Sequence, residues 1–321
     1  GCHMCHQGNS TILQKIWKND PDTRGFKGGI FVPLSKRTPE YFKKYMSAMY
    51  NFVSDSIKSE NTASLTVAYL GGEPTIQPAI YNDAEKLIEM GKQKPSKKNI
   101  AFSVVTNGNA KPALNNKLLS LYENYQNNGW IGTLMLSQDA VGDQAQVRYL
   151  CDPEIVRNNF CSYIASPYIK DVTSFTVLSN LNLPYIDKMA KYLSDSILNT
   201  PVPYIKKVTI NFNTLTDPDW LMLRYLPKRY AIDSVNRALD IFNDLKVRCK
   251  LKAMIDLNIS ISNLKQQTNT LLEEPSSDSI NYFIQTINYV ESIYNKNYPG
   301  FNFNDNFPHV KDIRKKYKGY E

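Results

Sequence analysis

The sequence predicts an α/β protein built on a parallel sheet. Short apolar runs take turns with helical stretches, each run is short enough to be a buried parallel strand, and each leaves through a polar turn toward a helix. Five such strand, turn and helix units are legible. The first helix is expected from about Pro39 to Ser59, because Thr38-Pro39-Glu40 is a start signal and Phe42, Tyr45, Met46, Met49 and Val53 share one side. Ser64 to Leu70 reads as a strand that ends in Gly71-Gly72-Glu73-Pro74-Thr75, followed by a helix over roughly Pro78 to Gly91. The strand Ile100 to Val105 ends in Thr106-Asn107-Gly108-Asn109, and a helix near Lys117 to Asn124 leads to the strand Ile131 to Leu136, which ends in Ser137-Gln138-Asp139. Asp152-Pro153-Glu154 opens a short helix, and Val172 to Leu178 is a strand ending near Asn180. Leu183 to Leu198 is helical with Pro184 in its first turn, Val208 to Phe212 is the last clear strand, and Asp233 to Leu245 is the helix after it. Beyond Lys250 the pattern changes. Leu251 to Ile261 is compatible with another strand, Glu273 to Asp278 with a turn and Ile280 to Tyr294 with a helix, before an Asn/Phe/Lys-rich tail. Residues 1–249 are therefore read as a core and residues 250–321 as a C-terminal extension. In a parallel β/α arrangement all the strand-to-helix turns lie at one end of the sheet, where ligands bind.

Composition excludes several classes of function. With 321 residues, 42 % of them hydrophobic, 21 % charged and 12 % aromatic, the chain can bury a sizeable core and is not a disordered sequence. Lys and Arg outnumber Asp and Glu by 38 to 30, which gives the net charge of +8. The excess is spread in Lys pairs and culminates in Lys311, Arg314, Lys315, Lys316 and Lys318, with no interleaved aromatic recognition motif, so it reads as a solvated basic surface rather than a nucleic-acid site. No apolar run approaches the roughly 20 residues that a membrane span needs, and the first thirty residues lack a basic-then-apolar leader. A cytoplasmic protein without a membrane partner is expected.

Of the five cysteines, Cys2 and Cys5 are three apart, while Cys151, Cys161 and Cys249 are scattered, so no disulfide framework is visible and a reducing compartment fits. Cys2-His3-Met4-Cys5-His6 allows three metal readings. A tight loop brings two thiolates at i and i+3 to one side, where they can grip iron or zinc; zinc would need a second Cys/His pair, for which His309 and an isolated cysteine are poor candidates. The same residues match C-x-x-C-H, the c-type haem attachment pattern, although haem attachment implies an exported and usually small helical protein. Two thiols without a ligand are the remaining reading.

The turns are individually ordinary. Gly71-Gly72-Glu73-Pro74 is what any tight strand exit needs, yet its bare backbone also admits a ligand and Glu73 can accept a hydrogen bond from a cationic amine. Thr106-Asn107-Gly108 is a common turn. Ser137 and Asp139 suit a loop cap or a ribose, and Arg148 suits either a carboxylate or the surface.

Taken in order, these stretches resemble the radical S-adenosylmethionine enzymes. In that family a C-x3-C-x2-C loop after the first strand holds a 4Fe–4S cluster, the second strand ends in G-G-E-P, and the third in T-N-G. Cys2 and Cys5 match the second and third cysteines, Gly71-Gly72-Glu73-Pro74 the second motif and Thr106-Asn107-Gly108 the third. Ser137-Gln138-Asp139 with Arg148 resembles the S-x-D-G…R stretch of the sulfatase-maturing and peptide-modifying subgroup, with Ala140 in place of the glycine. The resemblance covers about residues 1–215. It implies a partial, TIM-like (β/α)6 barrel lacking its first strand, cofactors 4Fe–4S and S-adenosyl-L-methionine, a peptide or protein substrate, and a reductant such as ferredoxin or flavodoxin. The implied roles are iron binding for Cys2 and Cys5, contact with the methionine amine for Gly71, Gly72, Glu73 and Pro74, the nucleoside side for Asn107, Ser137 and Asn180, and the methionine carboxylate for Arg148. The first cysteine of the motif would fall before Gly1, so an N-terminally truncated sequence is expected; completion of the site by Cys151, or loss of the cluster in a non-catalytic relative, are the alternatives. The subgroup's further cysteine-rich cluster sites have no counterpart in residues 250–321.

Overall fold

A computed structural model of the chain describes residues 39–60, 63–70, 73–95, 98–148, 151–202, 205–216, 219–252, 255–269, 271–297 and 300–317. Six strands are found among them: β1 (Ser64–Tyr69), β2 (Asn99–Thr106), β3 (Ile131–Ser137), β4 (Asp171–Leu178), β5 (Lys206–Thr214) and β6 (Ile255–Ile259). They lie side by side in chain order, every neighbouring pair parallel, so the sheet is the parallel α/β arrangement expected, and its sequential order is that of a barrel open along one side. The helices are α1 (Pro39–Lys58), α2 (Pro78–Asn82), α3 (Ala84–Gly91), α4 (Pro112–Asn127), α5 (Pro153–Ala165), α6 (Ile186–Asn199), α7 (Ile232–Lys252), α8 (Ile261–Asn269), α9 (Ser277–Asn297), α10 (Phe303–Asn306) and α11 (Pro308–Lys316). None of the described helices is long and apolar enough to cross a membrane.

Burial alternates along the strands, and the alternation assigns their two faces. On one face Val67, Phe102, Leu134, Val172, Val208 and Ile255 are buried with residues of the surrounding helices such as Ile57, Leu87, Tyr125, Phe160, Leu193 and Phe242 in one apolar core. That burial, at about 25 cal/mol per Å² of apolar surface, holds the sheet to its helices. The opposite face carries a row in register, Ala68, Ser103, Thr133, Asp171, Lys207 and Asp256, each half-buried or exposed. Parallel sheets between two layers of helices are apolar on both sides. This row of the second face is polar, while Val105, Met135 and Phe175 on the same face are apolar and half-buried.

Two buried lysines stand at the starts of strands. Lys98, just before β2, donates from Nζ to the carbonyls of Ser56, Ile57 and Ser59 around the C-terminus of α1, and Lys206, the first residue of β5, donates to the carbonyls of Ser166 and Ile169 after α5. Each cation meets the negative end of a helix. Burial pushes the Lys206 ammonium down to about 8.

Four element boundaries differ from those expected. The helix expected over Pro78 to Gly91 is two helices parted at Asp83, whose carboxylate accepts hydrogen bonds from the hydroxyls of Tyr50 and Tyr69. The helix near Lys117 starts at Pro112, where a proline in the first turn loses no intrahelical bond. Leu183 to Tyr185 form a 3-10 turn ahead of α6. The strand compatible with Leu251 to Ile261 is β6 alone, since α7 runs on to Lys252. The sheet thus takes its last strand from beyond residue 249.

The C-terminal helices build a second apolar core. Phe283, Ile287, Phe303, Phe307, Val310 and Ile313 pack with Ala140 after β3, Leu181 after β4, and Leu215, Trp220 and Leu221 after β5. These loops all follow strand C-termini, so α9 to α11 cover part of the end of the sheet where the functional turns emerge.

Candidate functional site

Glu73 ties the first functional turn to the second. It precedes a 3-10 turn, Pro74–Ile76, in which the ring of Pro74 is buried at the first position. Its Oε1 accepts from Thr75 N (3.2 Å), Thr75 Oγ1 (2.7 Å) and Thr106 Oγ1 (2.8 Å), while Oε2 accepts from Asn107 N at 2.9 Å. One carboxylate therefore clamps the exits of β1 and β2 together. A carboxylate offers about four acceptor directions, so Oε2, with one bond, has capacity for a further donor. Burial, followed by the negative charge of Glu73, pushes the phenols of Tyr81 and Tyr163 up.

The turn after β2 folds on itself. Thr106 Oγ1 accepts from Gly108 N at 3.0 Å and Asn107 Oδ1 from Asn109 N at 2.8 Å, the local side-chain turns that make Thr and Asn suitable here. Gly108 has φ of 72°, and a Cβ there would lie 2.4 Å from Leu136 Cδ1. Asn159 of α5 donates to the carbonyls of Gly108 and Ala110 at 2.7 and 2.8 Å, and Asn109 Oδ1 accepts from Asp152 N, the residue that caps α5.

Ser137, Asp139 and Arg148 form one unit after β3. Arg148 Nε donates to Asp139 Oδ2 at 2.5 Å and its Nη2 to Ser137 Oγ at 2.6 Å. The Asp139 side chain has no exposure and that of Arg148 retains 20 %. Val177 N on β4 donates to Asp139 Oδ1 at 2.9 Å. A guanidinium so held carries its charge at a fixed place at the sheet edge, which suits recognition of an anion.

Asn180 lies apart from these groups. It is fully buried, donates from Nδ2 to Trp220 O at 2.7 Å and from its backbone N to Leu221 O at 3.0 Å, and accepts at its own carbonyl from His309 Nε2 at 2.9 Å. With Nε2 donating, Nδ1 of His309 accepts from Tyr185 OH at 3.1 Å. Burial brings the His309 imidazole down to about 4, so it is neutral.

The structure thus joins Glu73 directly to Asn107 and Ser137 directly to Arg148, buries Pro74 in the turn that follows Glu73, and turns Asn180 toward the C-terminal core. Cys2, Cys5, Gly71 and Gly72 lie outside the described residues. Among the described residues no three His, Cys, Asp or Glu side chains converge in a way that could hold a metal ion. Burial pushes the Cys151 thiol, beside Arg148, up to about 11. Sequence reasoning missed Thr75 and Thr106, which grip Glu73, and Asn182, which binds the turn after β3. Thr106 lies 33 residues from Glu73 and Asn182 lies 43 from Asp139, beyond any local pattern, whereas Thr75 is two residues from Glu73 in the same turn.

No protein-family model and no curated protein matches the chain. The solved structures similar to it include two of one protein. Native anSMEcpe with bound AdoMet shares 16 % identity at a TM-score of 0.44, over 74 % of this chain and 57 % of that one. His6-tagged anSMEcpe with bound AdoMet shares 16 % identity at a TM-score of 0.45, over 66 % of this chain and 54 % of that one. This chain spans little more than half the length of either.

Proposed function

We propose that the chain is the core of a radical S-adenosylmethionine enzyme that abstracts hydrogen from a peptide or protein substrate. The observation that carries the reading is the clamp of Glu73 across the exits of β1 and β2, next along the same sheet edge to the Ser137, Asp139 and Arg148 unit. Three turns that are unremarkable singly occupy adjoining strand ends in the order the family resemblance requires.

In this reading Glu73 Oε2 accepts from the methionine amine, Arg148 faces the methionine carboxylate, and Asn107 and Ser137 flank the nucleoside. The amine needs an acceptor and the carboxylate a fixed cation, and the two groups supply them from neighbouring loops. Cys2 and Cys5 are proposed as two ligands of a 4Fe–4S cluster. When bound, such a cluster supplies the electron that breaks the sulfonium C–S bond, delivered by a reductant such as ferredoxin or flavodoxin. The chain's own task is to hold the nucleotide and to exclude water from the site.

The test is anaerobic. The protein, expressed with whatever residues its gene encodes before Gly1, is reconstituted with iron and sulfide and reduced with dithionite in the presence of S-adenosylmethionine. Formation of 5′-deoxyadenosine that falls at least about tenfold in Glu73→Ala and Arg148→Ala is expected. A fully loaded protein that leaves S-adenosylmethionine intact refutes the proposal.

A further inference from the structure

The Arg148 unit is held from one side by a residue of the turn after β4. Asn182 is 2 % exposed and lies in the turn after β4. Both protons of its side-chain amide are used: Nδ2 donates to Asp139 O at 2.8 Å and to Val177 O at 2.7 Å. Val177 in turn donates its backbone N–H to Asp139 Oδ1 at 2.9 Å. The three residues close a ring in which Asn182 fixes the backbone of Asp139 and of the group that grips its carboxylate. The other oxygen of that carboxylate receives Arg148 Nε. Asn182 is itself held locally, because its Oδ1 accepts from Ser179 N at 2.8 Å and from Ser179 Oγ at 3.2 Å.

We propose that Asn182 is a positioning residue for Arg148, acting through Asp139 and Val177. A side chain serving only its own turn would need only its acceptor, which Ser179 occupies. The amide nitrogen reaches across to the turn after β3, and both carbonyls it meets would be left short of a donor without it. The turn is anchored on its far side as well, where Asn180 binds Trp220, Leu221 and His309. Arg148 is thereby referenced to the C-terminal core. The role of this geometry in binding rests on the proposed contact between Arg148 and the methionine carboxylate; the positioning itself does not.

The experiment reads Arg148 directly. In the ¹⁵N spectrum of the whole chain, the Nε–Hε resonance of Arg148 is assigned by its loss in Arg148→Lys, and its exchange with water is measured. Asn182→Asp keeps the acceptor for Ser179 and removes the amide donor; Asn182→Ala removes both without adding charge and serves if the Asp variant does not fold. Each folded variant, checked by circular dichroism, is expected to exchange Hε at least about tenfold faster, the change that a loss of 1.4 kcal/mol of protection gives. Ser179→Ala, which leaves the amide bonds in place, is expected to stay within about twofold of the parent. Parent-like exchange in a folded Asn182 variant overturns the proposal, as does an equal acceleration in Ser179→Ala. S-adenosylmethionine affinity by calorimetry separates the two readings: accelerated exchange in the Asn182 variants with affinity unchanged in Arg148→Ala leaves the positioning standing and removes the carboxylate role of Arg148.

Discussion

Replacing Arg148 by Met removes the cation and its hydrogen bonds to Asp139 and Ser137 while keeping most of the apolar stem. The carboxylate of Asp139, without solvent exposure, then keeps only the Val177 N–H and its own backbone surroundings. Breaking a fully buried ion pair costs about 3–5 kcal/mol. Because Arg148 retains 20 % of its exposure, water reaches part of the site, and a loss of about 2–3 kcal/mol is expected. With a urea m-value of about 3 kcal/mol/M for a chain of this size, the unfolding midpoint moves down by about 1 M. Arg148→Lys keeps a charge but not the fork that meets Asp139 and Ser137 together, and is expected to fall between parent and Met variant. The assay is urea unfolding followed by circular dichroism, repeated in Asp139→Asn and in the double variant. A coupling energy of at least about 1.5 kcal/mol identifies the pair as the cause. A midpoint shift below about 0.2 M in the Met variant, with no coupling to Asp139, refutes the account of this unit as a desolvated pair.

Two further outcomes follow from particular residues. Gly108→Ala forces a side chain into a left-handed conformation and a Cβ to within 2.4 Å of Leu136 Cδ1, so thermal unfolding should show a loss of about 2–4 kcal/mol, and a change under about 0.5 kcal/mol would contradict the backbone reading. His309, at about 4 in the folded chain and 6.5 as a free group, binds more protons unfolded than folded between those values, so stability rises with pH across this window. The contribution is complete above pH 6.5 and is lost as pH falls toward 4, by about 3 kcal/mol in all. His309→Gln should flatten the stability profile over that range; an unaltered slope would place the pH dependence elsewhere.

Much of the sheet was legible because each strand is a short apolar run closed by a turn with its own chemistry. Gly71 to Thr75, Thr106 to Asn109 and Ser137 to Asp139 announce their strand ends locally. β6 was only weakly visible, since Ile255, Leu257 and Ile259 alternate with Asp256 and Asn258 in a strand of only five residues. The start of α4 was hidden by the polar stretch after Pro112, where tertiary burial of Asn115 and Leu118 outweighs weak local preference. Glu73 and Arg148 were identifiable as charged groups in the right turns, but their partners were not. The Glu73 clamp spans 33 residues to Thr106, and the Asn182 bond to Asp139 spans 43. Asn180 was identifiable from its position at the strand end; that the neighbouring Asn182 reaches Asp139 depends on contacts 43 residues apart.

Lys98 and Lys206 fasten strands to helices at the pole opposite the candidate site. This divides the labour of the fold. Rigidity is secured at the foot of the sheet by cations seated in helix ends, so the rim is left to vary in chemistry without carrying the whole architecture. Evolution or an engineer can remodel the upper loops one at a time, provided these two ammonium anchors stay in place.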